Sequence, residues 1–243
     1  MRQARRAHAG AMTITFITGA NKGLGLETAR RLAEHGHTVL VGARDEQAGR
    51  AAAESVGGRF VQIDVTDDDS VARAAADVQQ HEGALDVLIN NAGIAGTMGE
   101  ADDLTGAAVL RVLDVNVVGA VRTTRAFLPL LEASADPVVV NVSSGMGSLE
   151  LTHDPSRAES HVVAPAYTSS KAALTMLTTQ HAKAFPGIRI NAADPGYTAT
   201  DLNANSGPQT VTEGTDAVVQ LATEGPGHAS GRFVDRDGET TWG

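Results

Sequence analysis

The sequence predicts an α/β fold: one doubly wound domain with a seven-stranded parallel sheet and helices on both faces. Three observations carry this. Short β-branched runs alternate with Ala-rich helical stretches from Met12 onward, as a parallel sheet with right-handed crossovers requires. The strand runs are almost continuously apolar rather than alternating, the mark of strands buried on both faces. A glycine-rich turn, Thr18-Gly19-Ala20-Asn21-Lys22-Gly23-Leu24-Gly25, follows the first run and opens the first helix.

In order, strands are expected at Ile14 to Thr18, Thr38 to Val41, Phe60 to Asp64, Leu85 to Asn90, Val138 to Val142, Ile188 to Ala192 and Arg232 to Asp235. Between them helices are expected at Leu24 to His35, Asp45 to Ser55, Ser70 to Glu82, Leu104 to Leu131, Tyr167 to Phe185 and Val211 to Ala222. In such a sheet ligands bind outside the carboxyl ends of the strands, where the strand order reverses. The motifs below fall at strand ends or within the helices that follow.

With 243 residues, 42% of them hydrophobic, the chain can bury the core of one large domain. Aromatic residues make up only 3%, so that core is built from Ala, Val, Leu and Ile. A net charge of −10 argues against nucleic acid or an anionic membrane surface as partner. The absence of cysteine removes disulfides, thiolate nucleophiles and Cys-based metal sites, and fits a reducing, cytoplasmic compartment. No apolar run approaches the ~20 residues that span a bilayer. Residues 1–11 carry arginines without an apolar core, unlike a secretory signal. They are expected to form a disordered extension ahead of a domain at 12–243.

Glycines in the first turn let the backbone bend tightly and approach a pyrophosphate. The amides opening the next helix then face the phosphates, aided by the helix dipole. Downstream come Asp64-Val65 at the third strand end and Asn90-Asn91-Ala92-Gly93 at the fourth. Asn116, Ser144, the pair Tyr167 and Lys171, and Asp194-Pro195-Gly196-Tyr197-Thr198 follow. Tyr167 and Lys171 stand one helical turn apart and share a face. A phenol, ordinarily near pKa ~10, exchanges protons more readily near neutral pH when a fixed cation favours its anion.

This ordered set resembles the short-chain dehydrogenases/reductases, over a match running from about Met12 to the end. The resemblance implies a Rossmann fold and hydride transfer between a nicotinamide cofactor and a small-molecule carbonyl or alcohol, an aldehyde or ketone in the reducing direction. It assigns Gly19, Asn21, Lys22, Gly23, Leu24 and Gly25 to the pyrophosphate turn, and Asp64 and Val65 to adenine. Asn91, Ala92 and Gly93 line the cofactor, and Pro195, Gly196 and Thr198 meet its carboxamide. Tyr167 is then the general acid or base. Lys171 lowers its pKa and bonds the nicotinamide ribose, Ser144 holds the substrate oxygen, and Asn116 holds a water linking Lys171 to solvent.

A family spacing of three residues to Gly147 selects Ser144 over Ser143, since neighbours on a strand point to opposite faces. At the ribose end, Ala43 occupies the place where NAD-using relatives carry a carboxylate. Arg44 follows, and with Lys22 it offers two cations to a 2′-phosphate. The pair resembles NADPH-dependent carbonyl reductases and favours NADP(H), while Asp45 keeps NAD(H) open. Leu149 to Ala164 lengthens the gap before Tyr167 and reads as a polar loop at the pocket rim; His153 and His161 in it read as solvated. Thr198 to Thr210 reads as a small loop without a helical lid. By resemblance the chain forms a homo-oligomer, a dimer or tetramer. The alternative function is a regulator of the same fold that binds NADP(H) without turnover.

Overall fold

The computed structural model describes residues 12–96 and 104–243; the expected extension at 1–11 lies outside them. Seven strands run parallel: β1 (Ile14–Thr18), β2 (Thr38–Ala43), β3 (Arg59–Gln62), β4 (Val87–Asn90), β5 (Val138–Val142), β6 (Arg189–Ala193) and β7 (Phe233–Asp235). An eighth, β8 (Gly238–Glu239), turns back antiparallel on β7. The sequence predicts seven strands because two residues carry no apolar pattern. The turn itself is chemical: Asp235 Oδ1 accepts from the Asp237 and Gly238 amides at 2.8 and 3.0 Å.

The strand order is β3-β2-β1-β4-β5-β6-β7-β8. Succession reverses between β1 and β4, so a crevice opens at their carboxyl ends. Adjacent residues on the central strands serve opposite layers. Ile17, Val41, Ile89 and Val140 pack on one face with Ala29, Leu32 and Leu221. Phe16, Leu40, Leu88 and Val139 pack on the other with Val78, Phe127 and Leu131. The sheet is therefore buried on both sides, as the apolar runs require.

Helices α1 (Gly23–Glu34), α2 (Glu46–Val56) and α3 (Asp68–His81) follow the first three strands. The single helix expected at Leu104 to Leu131 is instead three pieces. These are α4 (Gly106–Leu113), a π-helical turn (Asp114–Val118) and α5 (Gly119–Ala133). The turn surrounds buried Asn116, whose side chain bonds the Ile94 backbone at both its N–H and its carbonyl. A wider helical turn at a site-facing residue is a recurrent device.

The stretch at 149–164 is not all loop. Ser148 Oγ accepts from the Leu151 amide at 3.2 Å and starts α6 (Leu149–His153), and Ala158–His161 forms a tighter turn before α7 (Pro165–Ala184). The helix expected at Val211 to Ala222 divides into α8 (Val211–Gly214) and α9 (Asp216–Thr223). Across the middle of the sheet a buried polar chain ties these layers together. Asn90 Nδ2 donates to Thr124 Oγ1 and Asn141 Oδ1, and Asn141 Nδ2 donates to Thr178 Oγ1.

Candidate active site

A cavity of about 620 Å3 occupies the crevice at the strand ends, within the ~300–1,000 Å3 usual for small-molecule sites. One half is built largely from backbone. Gly19 holds a left-handed φ of +64°, and a Cβ on Gly25 would stand 2.5 Å from both Gly19 O and Asn91 Nδ2. No larger residue fits there. Asn91 Nδ2 donates to Thr18 O at 2.9 Å and to Gly19 O at 3.1 Å, and the Ala92 amide donates to Thr18 Oγ1 at 3.0 Å. The turn after β4 is thus clamped to the turn after β1.

The start of α1 differs from its neighbours. Asp45 accepts from the Ala48 amide and caps α2, and Asp67 caps α3. Lys22 at the head of α1 caps nothing with its side chain. The first amides of a helix need an acceptor, and here they open beside a cavity lined by Gly19, Asn21, Gly23 and Leu24. An anion suits that position.

Lys22 and Arg44 line the same cavity, whereas Asp45 does not. Lys22 Nζ donates to Asp201 Oδ2 at 3.0 Å, with both side chains about two-thirds exposed (66% and 65%). Arg44 is 80% exposed, and its Nη1 stands 3.9 Å from Asp64 Oδ2. Exposed pairs of this kind hold their partners weakly. Burial alone would raise the Asp64 carboxyl, but the Thr66 hydroxyl and amide, with Arg44 and Arg122, hold it below its ordinary value.

The other half is built from buried side chains on α7 and the ends of β5 and β6. Lys171 is 5% exposed and donates to the Val142 carbonyl at 2.8 Å. Its ammonium has further donors, and it lines the cavity. Burial lowers Lys171 to about 8, against a raising influence from Asp194. Its Nζ lies 5.4 Å from the centre of the half-buried Tyr167 ring. The Tyr167 hydroxyl is pushed up to about 12 by burial; a hydrogen bond with Ser144 pulls it down, and Asp194 raises it further. Burial dominates at this hydroxyl, and the Lys171 ammonium is bonded to the Val142 carbonyl.

Ser143 and Ser144 diverge as alternation requires. Ser143 Oγ turns into α7, bonding Lys171 O and Thr175 Oγ1, although Ser143 is the one that lines the cavity. Ser144 Oγ accepts from the Met146 amide at 3.2 Å and lowers the Tyr167 hydroxyl. A Cβ on Gly147 would stand 2.6 Å from the Lys171 carbonyl carbon, so glycine lets the Ser144 turn lie against α7. Asn116 Nδ2 also donates to Ser170 Oγ at 2.9 Å, so Asn116 joins α7 to the wall after β4.

Four expected site residues lie off the lining: Asn116, Ser144, Gly196 and Thr198. Thr198 is 4% exposed; its Oγ1 donates to Pro195 O at 2.8 Å, and its side chain fills the space beside Gly214. It is turned away from the cavity because its backbone pairs with Gln209. Gly196 also lies off the lining, which Pro195 reaches. In their place stand Thr200, Asp201 and Leu202, which the sequence reading missed. The visible signal was Thr200 three residues before Asn203, whose Oδ1 accepts from the Thr200 amide at 3.1 Å. His153 bonds the Leu149 carbonyl within α6, His161 bonds the Pro155 carbonyl, and neither lines the cavity.

The short chain dehydrogenase family profile matches residues 13–210. The chain belongs to the short-chain dehydrogenase family. It is 34% identical to a short-chain dehydrogenase of Penicillium roqueforti, over 91% of this chain and 93% of that one. It is 32% identical to the (+)-neomenthol dehydrogenase of Capsicum annuum, over 90% and 94%. Among solved structures, NADPH-bound carbonyl reductase from chicken fatty liver superposes with a TM-score of 0.84 at 27% identity, covering 95% of this chain and 99% of that one. Salutaridine reductase from Papaver somniferum gives 0.80 at 27%, covering 91% and 99%.

As a short-chain dehydrogenase the protein is an oxidoreductase that binds a nicotinamide cofactor. The uncapped α1 amides and the buried Lys171 donors fit such a group. Among the described residues, no helix is long and apolar enough to cross a membrane.

Proposed function

We propose that this short-chain dehydrogenase is an NADP(H)-dependent reductase of aldehydes or ketones, with Tyr167 as the proton donor. One observation carries the reading: Tyr167 and the buried Lys171 line the same cavity into which the uncapped amides of α1 open.

In this reading Gly19, Asn21, Gly23, Leu24 and Gly25 hold the pyrophosphate, and Asp64 and Val65 border the adenine. Asn91, Ala92, Gly93 and Pro195 complete the wall. Lys22 and Arg44 meet the 2′-phosphate. Asp45, which a 2′-hydroxyl would need, is engaged as the cap of α2. The bound cofactor supplies the hydride. Ser144 bonds the substrate oxygen and Tyr167 gives it a proton. A phenol raised by burial is fully protonated at neutral pH, which suits donation and hence the reducing direction. A Cβ on Gly93 would lie 3.4 Å from Asn116 Oδ1 and 3.8 Å from Lys171 Nζ. The two groups border one gap, which supports a role for Asn116 in returning the proton.

Purified protein mixed with NADPH and a panel of aldehydes and ketones should consume NADPH with at least one of them, and much faster than NADH. Tight NADPH binding with no turnover of any carbonyl would overturn the reading. The same proposal includes a homo-oligomer, dimer or tetramer. Exposed Leu110 and Met176 stand on α4 and α7, which pack together. Sedimentation showing only monomer would remove that part.

A further inference from the structure

We propose that Asp194 is a positioning residue for proton transfer, and that the rim segment at 149–164 acts on the reaction through it. Asp194 lies where three parts of the chain approach one another: the turn after β5, the turn after β6 and the rim segment. It follows β6 and is 4% exposed. Its Oδ1 accepts from the Gly196 amide at 2.9 Å. Burial raises its carboxyl above the ordinary range, the Gly196 and Gly145 amides work against that, and Glu159 and Asp235 add to it. The turn that carries Ser144 is thereby stapled to the turn that carries Pro195.

The rim segment faces the same carboxylate. A Cβ on Gly145 would stand 2.7 Å from Glu159 Oε1 and 2.8 Å from Asp194 Oδ2. These two acids therefore converge on one point. Arg157 Nη2 pairs with Glu159 Oε1 at 3.0 Å, and its buried Nε has no hydrogen-bond partner. Its positive charge acts on Glu159, Asp194 and, from the end of β7, Asp235. A cation brought by the rim thus offsets three carboxylates gathered behind the proton donor.

The sign of the effect follows from charge. On α7, Tyr167 and Lys171 both feel Asp194, which disfavours phenolate and favours ammonium. Ser144 is the other polar group on the Tyr167 hydroxyl. Asp194 is raised by burial, so the effect belongs to the alkaline range in which it is ionised. There, removing its charge should favour phenolate, and removing the Arg157 charge should disfavour it. A change in the rim then alters the proton donor without touching it.

This inference rests on Tyr167 as the proton donor, so its test has one arm that needs no turnover. The chain has two tyrosines, and Tyr197 is exposed with its hydroxyl on Ser206. In a Tyr197→Phe background, phenolate absorbance against pH reports Tyr167 alone. The second arm is the alkaline limb of kcat for NADPH-driven carbonyl reduction. Asp194→Asn should move both midpoints down by about one pH unit. Arg157→Met should move them up, and Arg157→Lys, which keeps the charge, should stay near the unmodified chain. If Asp194→Asn does not fold, the two Arg157 variants decide alone. Midpoints unchanged by Asp194→Asn or Arg157→Met, whatever happens to kcat or Tm, would reduce the cluster to a structural tie and overturn the proposal. Absence of carbonyl turnover in the unmodified protein would remove the reductase reading, and the absorbance arm would still decide this one.

Discussion

The two halves of the cavity are made of different material. The half around α1 is backbone, glycine and solvated cations: Lys22 is 66% exposed and Arg44 80%. The half around α7 is buried side chain, with Lys171 5% exposed and Asn116 2%. Charges in water change little in worth and are screened by salt. Charges out of water shift their proton affinities, as Lys171 and Tyr167 do. The first half suits holding a phosphate-bearing ligand, the second moving a proton.

This contrast can be broken by experiment, and the largest effect belongs to the buried half. Lys171 is lowered in the folded state from 10.5 to about 8, so between those values the unfolded chain binds more protons. Stability should therefore rise with pH across that window, by up to about 3 kcal/mol, and should level off above it. Lys171→Met should flatten the rise in denaturation curves taken from pH 7 to 10. Tyr167 acts oppositely: held near 12, it makes stability fall as pH climbs past its unfolded value near ~10. A Lys171→Met protein with an unchanged pH slope would mean the ammonium is solvated after all.

Next is the backbone of the other half. Gly25→Ala places a Cβ 2.5 Å from Gly19 O, and should cost about 1–3 kcal/mol of stability as overpacking with loss of NADPH binding. Denaturant unfolding and fluorescence titration would read both. The smallest effect belongs to the exposed cations. Arg44→Ala should weaken NADPH by about tenfold and NADH hardly at all, and the difference should shrink with added salt. Equal losses for both cofactors would erase the ribose-end assignment.

The same contrast decides what was legible in the sequence. Gly19, Gly23 and Gly25 do their work through local backbone geometry, so one contiguous turn announced them. Apolar runs announced the parallel sheet for the same reason. Tyr167 and Lys171 could be read because a helical turn joins them. What could not be read depends on partners far away in the chain. Asn116 widens its helix because Ile94 is waiting, and Thr198 turns inward because Gln209 and Gly214 receive it. β8 exists because Asp235 folds the chain back over two residues. Asp194 opens the local run Asp194-Pro195-Gly196, yet its surroundings come from Gly145 and Arg157, which the sequence leaves far apart. Ser148 as a helix cap, by contrast, was visible and overlooked beneath the polar composition of 149–164.

The claim on which the reductase reading turns is that the Tyr167 hydroxyl supplies the proton while the cavity holds the dinucleotide independently of it. Tyr167→Phe removes one oxygen and leaves the ring. Single-turnover reduction should slow by about 10²–10⁴, with NADPH affinity by fluorescence titration unchanged. Reduction at the unmodified rate, or a loss of NADPH binding equal to the loss of rate, would contradict it.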